Sequence, residues 1–356
     1  MKKFAYGAIA LAAVGAAGQA TDTGWSGLDQ EISSLSASLQ AQTAPTGPKV
    51  TGYMITSLDY EGDPPVWDDA NSNGTIDTGE ITEGDDTLGW DLRNVRIGAA
   101  GDLGQDYSFR INFELSSGTA ELKDAYVDWK ITDGIKGRWG QYKIPFARTA
   151  LTPKNKLLFM QRTAIGQAFN ARDVGVMVSG QFEMVNFWLN AQNGVDGITK
   201  DMFYNARVTF DVMGDGVAMV EGAYGAGDAL ALSVGGSIGD DSGLDNGLVW
   251  LLEAALTSGP FSIAAEMADF DSDLGDNTPW DVTASFAFTE QYELAVRYED
   301  RDNDFDEVWY GASINRYVAG HDIKWTLQYV RIDTDEEVDA IALDRDQISL
   351  GLTVAF

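Results

Sequence analysis

From Lys49 to the carboxyl terminus, apolar side chains recur at every second position in one segment after another. Tyr107, Phe109, Ile111, Phe113 and Leu115 alternate with Ser108, Arg110, Asn112 and Glu114. Ala125, Val127, Trp129 and Ile131 alternate with Asp124, Tyr126, Asp128 and Lys130. Ile348, Leu350, Leu352, Val354 and Phe356 alternate with Ser349, Gly351, Thr353 and Ala355. A period of two places the two sets on opposite faces of a β-strand. Segments of about ten residues suit strands that cross a bilayer at a tilt, with hydrocarbon on one face and water on the other. A sandwich also has a polar outer face, so alternation alone leaves a soluble β-protein open. Beyond the first twenty residues there is no run of some 18 apolar residues, which excludes a helical membrane protein and leaves a barrel untouched.

Counting back from Phe356 gives strands at 346–356, 321–332, 306–317, 291–300, 279–288, 260–270, 246–257, 229–238, 202–212, 185–193, 173–182, 136–144, 121–131, 106–116, 89–101 and 49–60. These sixteen imply an all-β, antiparallel transmembrane β-barrel, closed because an open edge in lipid leaves backbone groups unpaired. Short turns fall at one end. The other end carries longer acidic connections at 61–87, 271–277, 301–305 and 333–344, expected on the cell exterior. A charge run is by default a solvated face.

Residues 1–20 read as a secretory signal peptide. Lys2 and Lys3 precede an apolar stretch, and Gly18-Gln19-Ala20 forms a small-residue cleavage site. A transmembrane helix is the competing reading, and the Ala/Gly-rich run is short for it. In 21–48, Leu28, Ile32, Leu35 and Leu39 follow an a/d spacing. This predicts a short, coiled-coil-like helical leader in the periplasm, ended by the breaker Ala44-Pro45-Thr46-Gly47-Pro48. An unstructured leader is the alternative.

The formal charge of −31 opposes nucleic-acid binding, which needs basic surface. With no cysteine and one histidine, His321, a Cys/His zinc site is impossible and a Ser-His-Asp triad would hang on that residue alone. His321 sits beside an expected periplasmic turn, so the expectation is no enzyme and a rim residue.

The first acidic connection holds a calcium-type loop, DANSNGTIDTGE, over residues 69–80. Asp69, Asn71 and Asn73 stand at positions 1, 3 and 5, and Gly74 makes the turn at 6. Thr75 offers its carbonyl at 7, Ile76 follows, Asp77 stands at 9 and Glu80 at 12 can bind through two oxygens. Alternate positions of a tight loop aim oxygens inward, which is what a hard cation requires. Calcium is therefore expected as a structural ion, against the plain reading of an acidic turn.

Residues 137–180 hold a connection with no acid between Lys143 and Arg172, yet with Arg148, Lys154, Lys156 and Arg162 in it. Its Leu157, Leu158, Phe159, Met160, Ile165 and Phe169 argue for packing. GQYKIPF, this connection, and ARDVGVMVSG resemble the phosphate-selective porin O/P family of bacterial outer-membrane channels. RNVRIG at 93–98, ELKDAYVDW at 121–129 and ARVTFDVMG at 206–214 are similar to it too. The resemblance implies that residues 145–170 fold into the barrel and narrow a pore. It also implies a homotrimer in outer-membrane lipid that passes small polar or anionic solutes, phosphate among them. Of 24 Lys and Arg, fifteen fall between Arg93 and Arg207, and none between 208 and 296. Candidate pore residues are accordingly Arg96, Arg110, Arg138, Arg148, Lys154, Lys156 and Arg162. These cations either set an anion preference or pair with Asp124, Asp128 and Glu114 and merely balance the wall. The alternative function is a tethering barrel, bound to peptidoglycan through its leader helix and to divalent cations through its acidic loops.

Overall fold

A computed structural model describes residues 47–62, 65–67, 81–194, 202–241, 247–272, 275–303, 306–334, 337–338, 341–342 and 344–356. The signal peptide, the leader helix and the calcium-type loop at 69–80 lie outside the described residues.

Sixteen long strands build one antiparallel wall: β1 Lys49–Glu61, β2 Thr87–Leu103, β3 Tyr107–Glu114, β4 Glu121–Thr132, β5 Ile135–Lys143, β6 Arg172–Phe182, β7 Val185–Gln192, β8 Phe203–Met213, β9 Ala231–Asp241, β10 Leu248–Ser258, β11 Phe261–Ser272, β12 Trp280–Ala287, β13 Tyr292–Asp300, β14 Val308–Ala319, β15 Ile323–Asp333 and β16 Arg345–Ala355. Each pairs with the next, and β16 pairs with β1 from Tyr53 opposite Ala355 to Glu61 opposite Gln347. The wall therefore closes and no backbone edge is left open. All sixteen strands expected from the alternation are present, with ends within three residues.

The alternation resolves into two faces. On β15, Trp325, Leu327 and Tyr329 point outward and are exposed, while Lys324, Thr326 and Gln328 point inward and are buried. Outward Leu252, Ile263, Leu294 and Leu350 continue the apolar belt. Such a continuous exposed apolar surface suits hydrocarbon and not water.

The packed core lies inside the barrel, against one half of its wall. The 144–171 connection turns inward and carries two short helices, α1 Arg148–Leu151 and α2 Ala164–Ala168, with a 3-10 turn at Lys154–Lys156 between them. Its Phe146, Ala150, Ile165 and Phe169 pack on Phe203 of β8, Val249 and Leu251 of β10 and Ala268 of β11. Phe146 and Phe169 stack at 4.1 Å between ring centroids. Further along, Leu158 and Phe159 pack on Ala295 of β13.

Polar contacts fix the same loop. The inner face of β10–β13 carries Glu253, Glu266, Asp281, Glu293 and Glu299, all buried. Glu266 accepts hydrogen bonds from the Thr149 N–H at 3.2 Å and from the Thr149 hydroxyl. Glu299 accepts from the Ala164 N–H at 2.9 Å, and Gln328 from the Met160 N–H at 2.7 Å. Burying carboxylates without such donors would be costly. Arg207 pairs with Glu253 at 2.5 Å, and Arg297 donates to the Gln161 carbonyl at 3.1 Å.

Close approach depends on a missing side chain at Gly311 of β14, where a Cβ would stand 2.8 Å from Cε1 of Phe159. Replacing Gly311 with leucine overpacks that contact, at a cost of roughly 1–3 kcal/mol. The expected outcome is a barrel that still shows heat-modifiable mobility on a gel but is cut by trypsin after Lys156 or Arg162. The parent should resist cutting there, and equal resistance in both would contradict the docking.

Candidate functional site

With the loop packed on β8–β15, the remaining passage runs between the loop's other edge and the inner face of β1–β7. A cavity of about 290 Å³ opens at the long-loop end, lined by Asp59, Glu61, Arg93, Arg162 and Gln167 among others. Another of about 610 Å³ opens at the short-turn end, lined by Asp102, Tyr107, Asp128, Lys130 and Ser179 among others. The level between them is where the chain's cations meet.

On the wall, the cations are paired. Arg93 bonds Asp59 at 2.7 Å and the Ser57 hydroxyl at 2.7 Å. Arg96 pairs with Glu114 at 3.2 Å, and Glu114 also accepts from the Val95 N–H and the Asn94 amide. Arg172 reaches Asp124 at 3.4 Å. Lower down, Arg138 grips Asp128 through two bonds of 2.6 and 2.8 Å and lies 3.8 Å from the centre of the Tyr126 ring. Arg110, on β3, is exposed.

The loop's cations have different partners. Arg162 donates to the carbonyls of Thr149 and, at 2.7 Å, Thr152, so it closes α1 and α2 upon each other. Arg148 donates to the carbonyls of Val217, at 3.2 Å, and Ala218, on the turn that follows β8. It is held in the partition and not on the passage. Lys143, at the end of β5, donates to the Ala150 carbonyl and to the Asn170 side-chain oxygen at 2.8 Å. Lys156, on the same turn as Lys154, lies near His321.

The Lys154 ammonium has no hydrogen bond or ion pair among the described residues, while its carbonyl accepts from the Leu157 N–H at 3.4 Å. Burial pushes its pKa down to about 8, and the neighbouring charges of Arg162, Arg93 and Arg96 act the same way, with Glu114 opposing them. Positive charge thus accumulates here without matching acid. Arg96 and Arg172 have one carboxylate each and Arg93 has two, Asp59 at 2.7 Å and Asp91 at 3.9 Å, whereas Arg162 is bound by neutral oxygens and the Lys154 ammonium by none.

Arg93 was not among the sequence-derived pore residues. A β-bulge between β1 and β2 is the reason. Ile55 faces Asn94 but Ser57 faces Asp91, so one extra residue of β2 is inserted. Strict alternation would send Arg93 and Arg96 to opposite faces, and the bulge turns both into the lumen. Lys143 stands four positions after Trp139, and strict alternation would put both on one face. Trp139 is 67% exposed and Arg138 points inward, and Lys143 escapes the outward face by sitting at the strand end and bending onto the loop. The docking half of the wall left a trace in sequence: Val249-Trp250-Leu251-Leu252 is apolar on both faces, as a strand covered on both sides would be.

His321 lies on the turn before β15, edge-on to Tyr224 and Tyr317 at 5.5 and 5.2 Å. Burial, then the charges of Lys324 and Lys156, push its pKa down to about 4, so it is neutral at pH 7. Among the described residues no group of acids and His gathers as a metal site would require.

The barrel has known counterparts. An outer membrane protein of Vibrio cholerae, OmpT with its loop L8 deleted, superimposes with a TM-score of 0.57 at 13% identity, over 87% of this chain and 99% of that one. OmpT of the same organism in trimer form gives 0.56 at 15%, over 87% and 99%. A mutant of the porin of Rh. blastica gives 0.56 at 13%, over 87% and 100%. Likeness at such identities establishes the fold. Among curated proteins the chain has no match. The sequence profile described as phosphate-selective porin O and P matches residues 67–356, and the chain belongs to that family of outer-membrane channels.

Proposed function

We propose that this outer-membrane channel passes small solutes by diffusion with a preference for anions, phosphate included, and that Lys154 is the main determinant of that preference. The observation that carries the reading is the surplus of positive charge beside the loop: Lys154 and Arg162 face no carboxylate partner of their own. Selectivity follows the charges at the narrowest section, where field lines are confined. The overall −31 resides largely in loops and beneath the docked loop, and bulk salt screens charges beyond about 8–10 Å. A homotrimer is the proposed assembly, in keeping with the trimer form of the OmpT relative. Calcium at Asp69, Asn71, Asn73, Thr75, Asp77 and Glu80 is proposed from the sequence pattern as a stiffener of the first external loop.

A unit charge about 7 Å from an ion in water contributes roughly 0.6 kcal/mol. Lys154→Glu reverses that charge, so the anion-to-cation permeability ratio should fall several-fold at low salt, and less at 1 M. Reversal potentials across planar bilayers measure it, and an unchanged ratio would remove Lys154 from the passage.

The pH dependence has a definite sign. With its pKa near 8, Lys154 is charged at pH 7 and largely neutral at pH 9. Anion preference in the parent should therefore weaken through about pH 8. Lys154→Arg, which stays charged, should abolish that step while keeping the preference.

Calcium is tested separately. Added calcium should protect the 61–87 loop from protease in the parent and protect a Glu80→Ala variant much less. Equal protection would dismiss the site.

A further inference from the structure

The turn following β8 does not stay at the mouth of the barrel. Residues 214–230 rise into the lumen and meet the inserted loop from the opposite end. The Glu221 N–H donates to the Lys156 carbonyl at 3.2 Å. The Glu221 carboxylate accepts from the Leu158 N–H at 2.8 Å and from Arg297 at 3.0 and 3.2 Å. The contact holds the C-terminal end of the 3-10 turn on which Lys154 sits. Neighbouring bonds hold the two residues that follow the turn: Lys324 donates to the Leu157 carbonyl, and Ser313 and Asn315 to the Leu158 carbonyl at 2.9 and 3.0 Å.

The rising segment is itself fixed in height. The Ala223 N–H donates to Glu293 at 2.6 Å, and Glu293 is held in turn by the Ser285 and Tyr317 hydroxyls at 2.6 Å each. Tyr224 stacks on Tyr317 with 3.7 Å between ring centroids. Gly222 has a φ of +96°, and a Cβ there would lie 2.5 Å from Glu293. Glu221 is therefore delivered to one point in the lumen, and at 7% exposure it is not itself a lining group of the passage.

We propose that Glu221 is a positioning residue for the channel's constriction. It clamps the Lys154–Lys156 turn against Arg297, so that the narrowest section is set jointly by the inserted loop and by a turn from the other mouth. The proposal takes the location of the constriction from the reading above. It adds that Lys154, whose ammonium has no bond of its own, keeps its place through Glu221.

The test compares Glu221→Gln and Glu221→Asp in the full-length protein in planar bilayers. Glutamine keeps the length and an oxygen for the Leu158 N–H but loses the charge. Aspartate keeps the charge but is one methylene short. Positioning predicts that Glu221→Gln keeps the parent's main conductance level and the selectivity step near pH 8. It predicts that Glu221→Asp splits the conductance into substates and loses at least half of the anion preference. The reverse ranking, or two variants indistinguishable from the parent, would overturn the proposal. The chain has no cysteine, so Lys154→Cys supplies a single probe. Its modification rate by a charged thiol reagent should rise several-fold with Glu221→Asp and stay unchanged with Glu221→Gln. A parent without anion preference would sink the selectivity reading, yet conductance substates and modification rates would still decide the role of Glu221.

Discussion

The acids of the inner wall and the acid-free loop require each other. Glu253, Glu266, Asp281, Glu293 and Glu299 face inward on four consecutive strands, and without cover they would form a strongly anionic lumen. With cover but without donors they would be buried charges short of partners, a costly state. The 144–171 loop brings the Thr149 N–H to Glu266 and the Ala164 N–H to Glu299, and from the wall Arg207 supplies charge to Glu253 and Arg297 to Glu299. A single acid in the loop would add like charge to a region already crowded with it. That is a physical reason for a connection from Lys143 to Arg172 to contain none.

This docking divides the lumen into unequal parts. One half becomes a protein interior, with stacked Phe146 and Phe169 and a buried Arg207–Glu253 pair. The other half is lined by Arg93, Arg96, Arg138 and Arg172 with their acids. The loop leaves Lys154 beside Arg93 and Arg96 while its two arginines are engaged elsewhere: Arg148 by carbonyls at 217 and 218, Arg162 by carbonyls of its own loop. In the proposed reading, selectivity depends on how few cations remain free, and not on how many the loop contains.

That distinction marks what could be read from the chain. Strand number and strand ends followed from a period of two, because a residue that slips by one changes solvent and the penalty is large. The inward loop followed from its apolar content and its resemblance to a family. The partners of Arg148 and Arg162 did not, because they are carbonyls, which every residue owns and no sequence advertises. Arg93 was hidden by a bulge, which shifts phase without leaving a signature in its own residues. Val249 and Leu251 carry a signal that strand counting does not use: an inward apolar pair in a water-filled barrel calls for a cover, and the loop supplies it. The pairs Arg138–Asp128, Arg96–Glu114 and Arg172–Asp124 answer one question the sequence left open: these wall cations are balanced. The loop's are not.

The contacts that fix the loop also fix an order of assembly. Thr149 and Glu266 are 117 positions apart, Ala164 and Glu299 are 135 apart, and Met160 and Gln328 are 168 apart. The loop's partners span β8 to β15, which are in place only after most of the wall has paired. Contacts of such separation form slowly, because the chain between them must first be ordered. Until then the loop keeps its N–H groups in water, and the acids of β10–β13 face an open lumen. Loop docking thus belongs to the last stage of folding, when the lumen is closed to lipid and still open to water. A turn rising from the far mouth can then meet the loop from below, with Glu221 accepting from Leu158 and Arg297 in one contact.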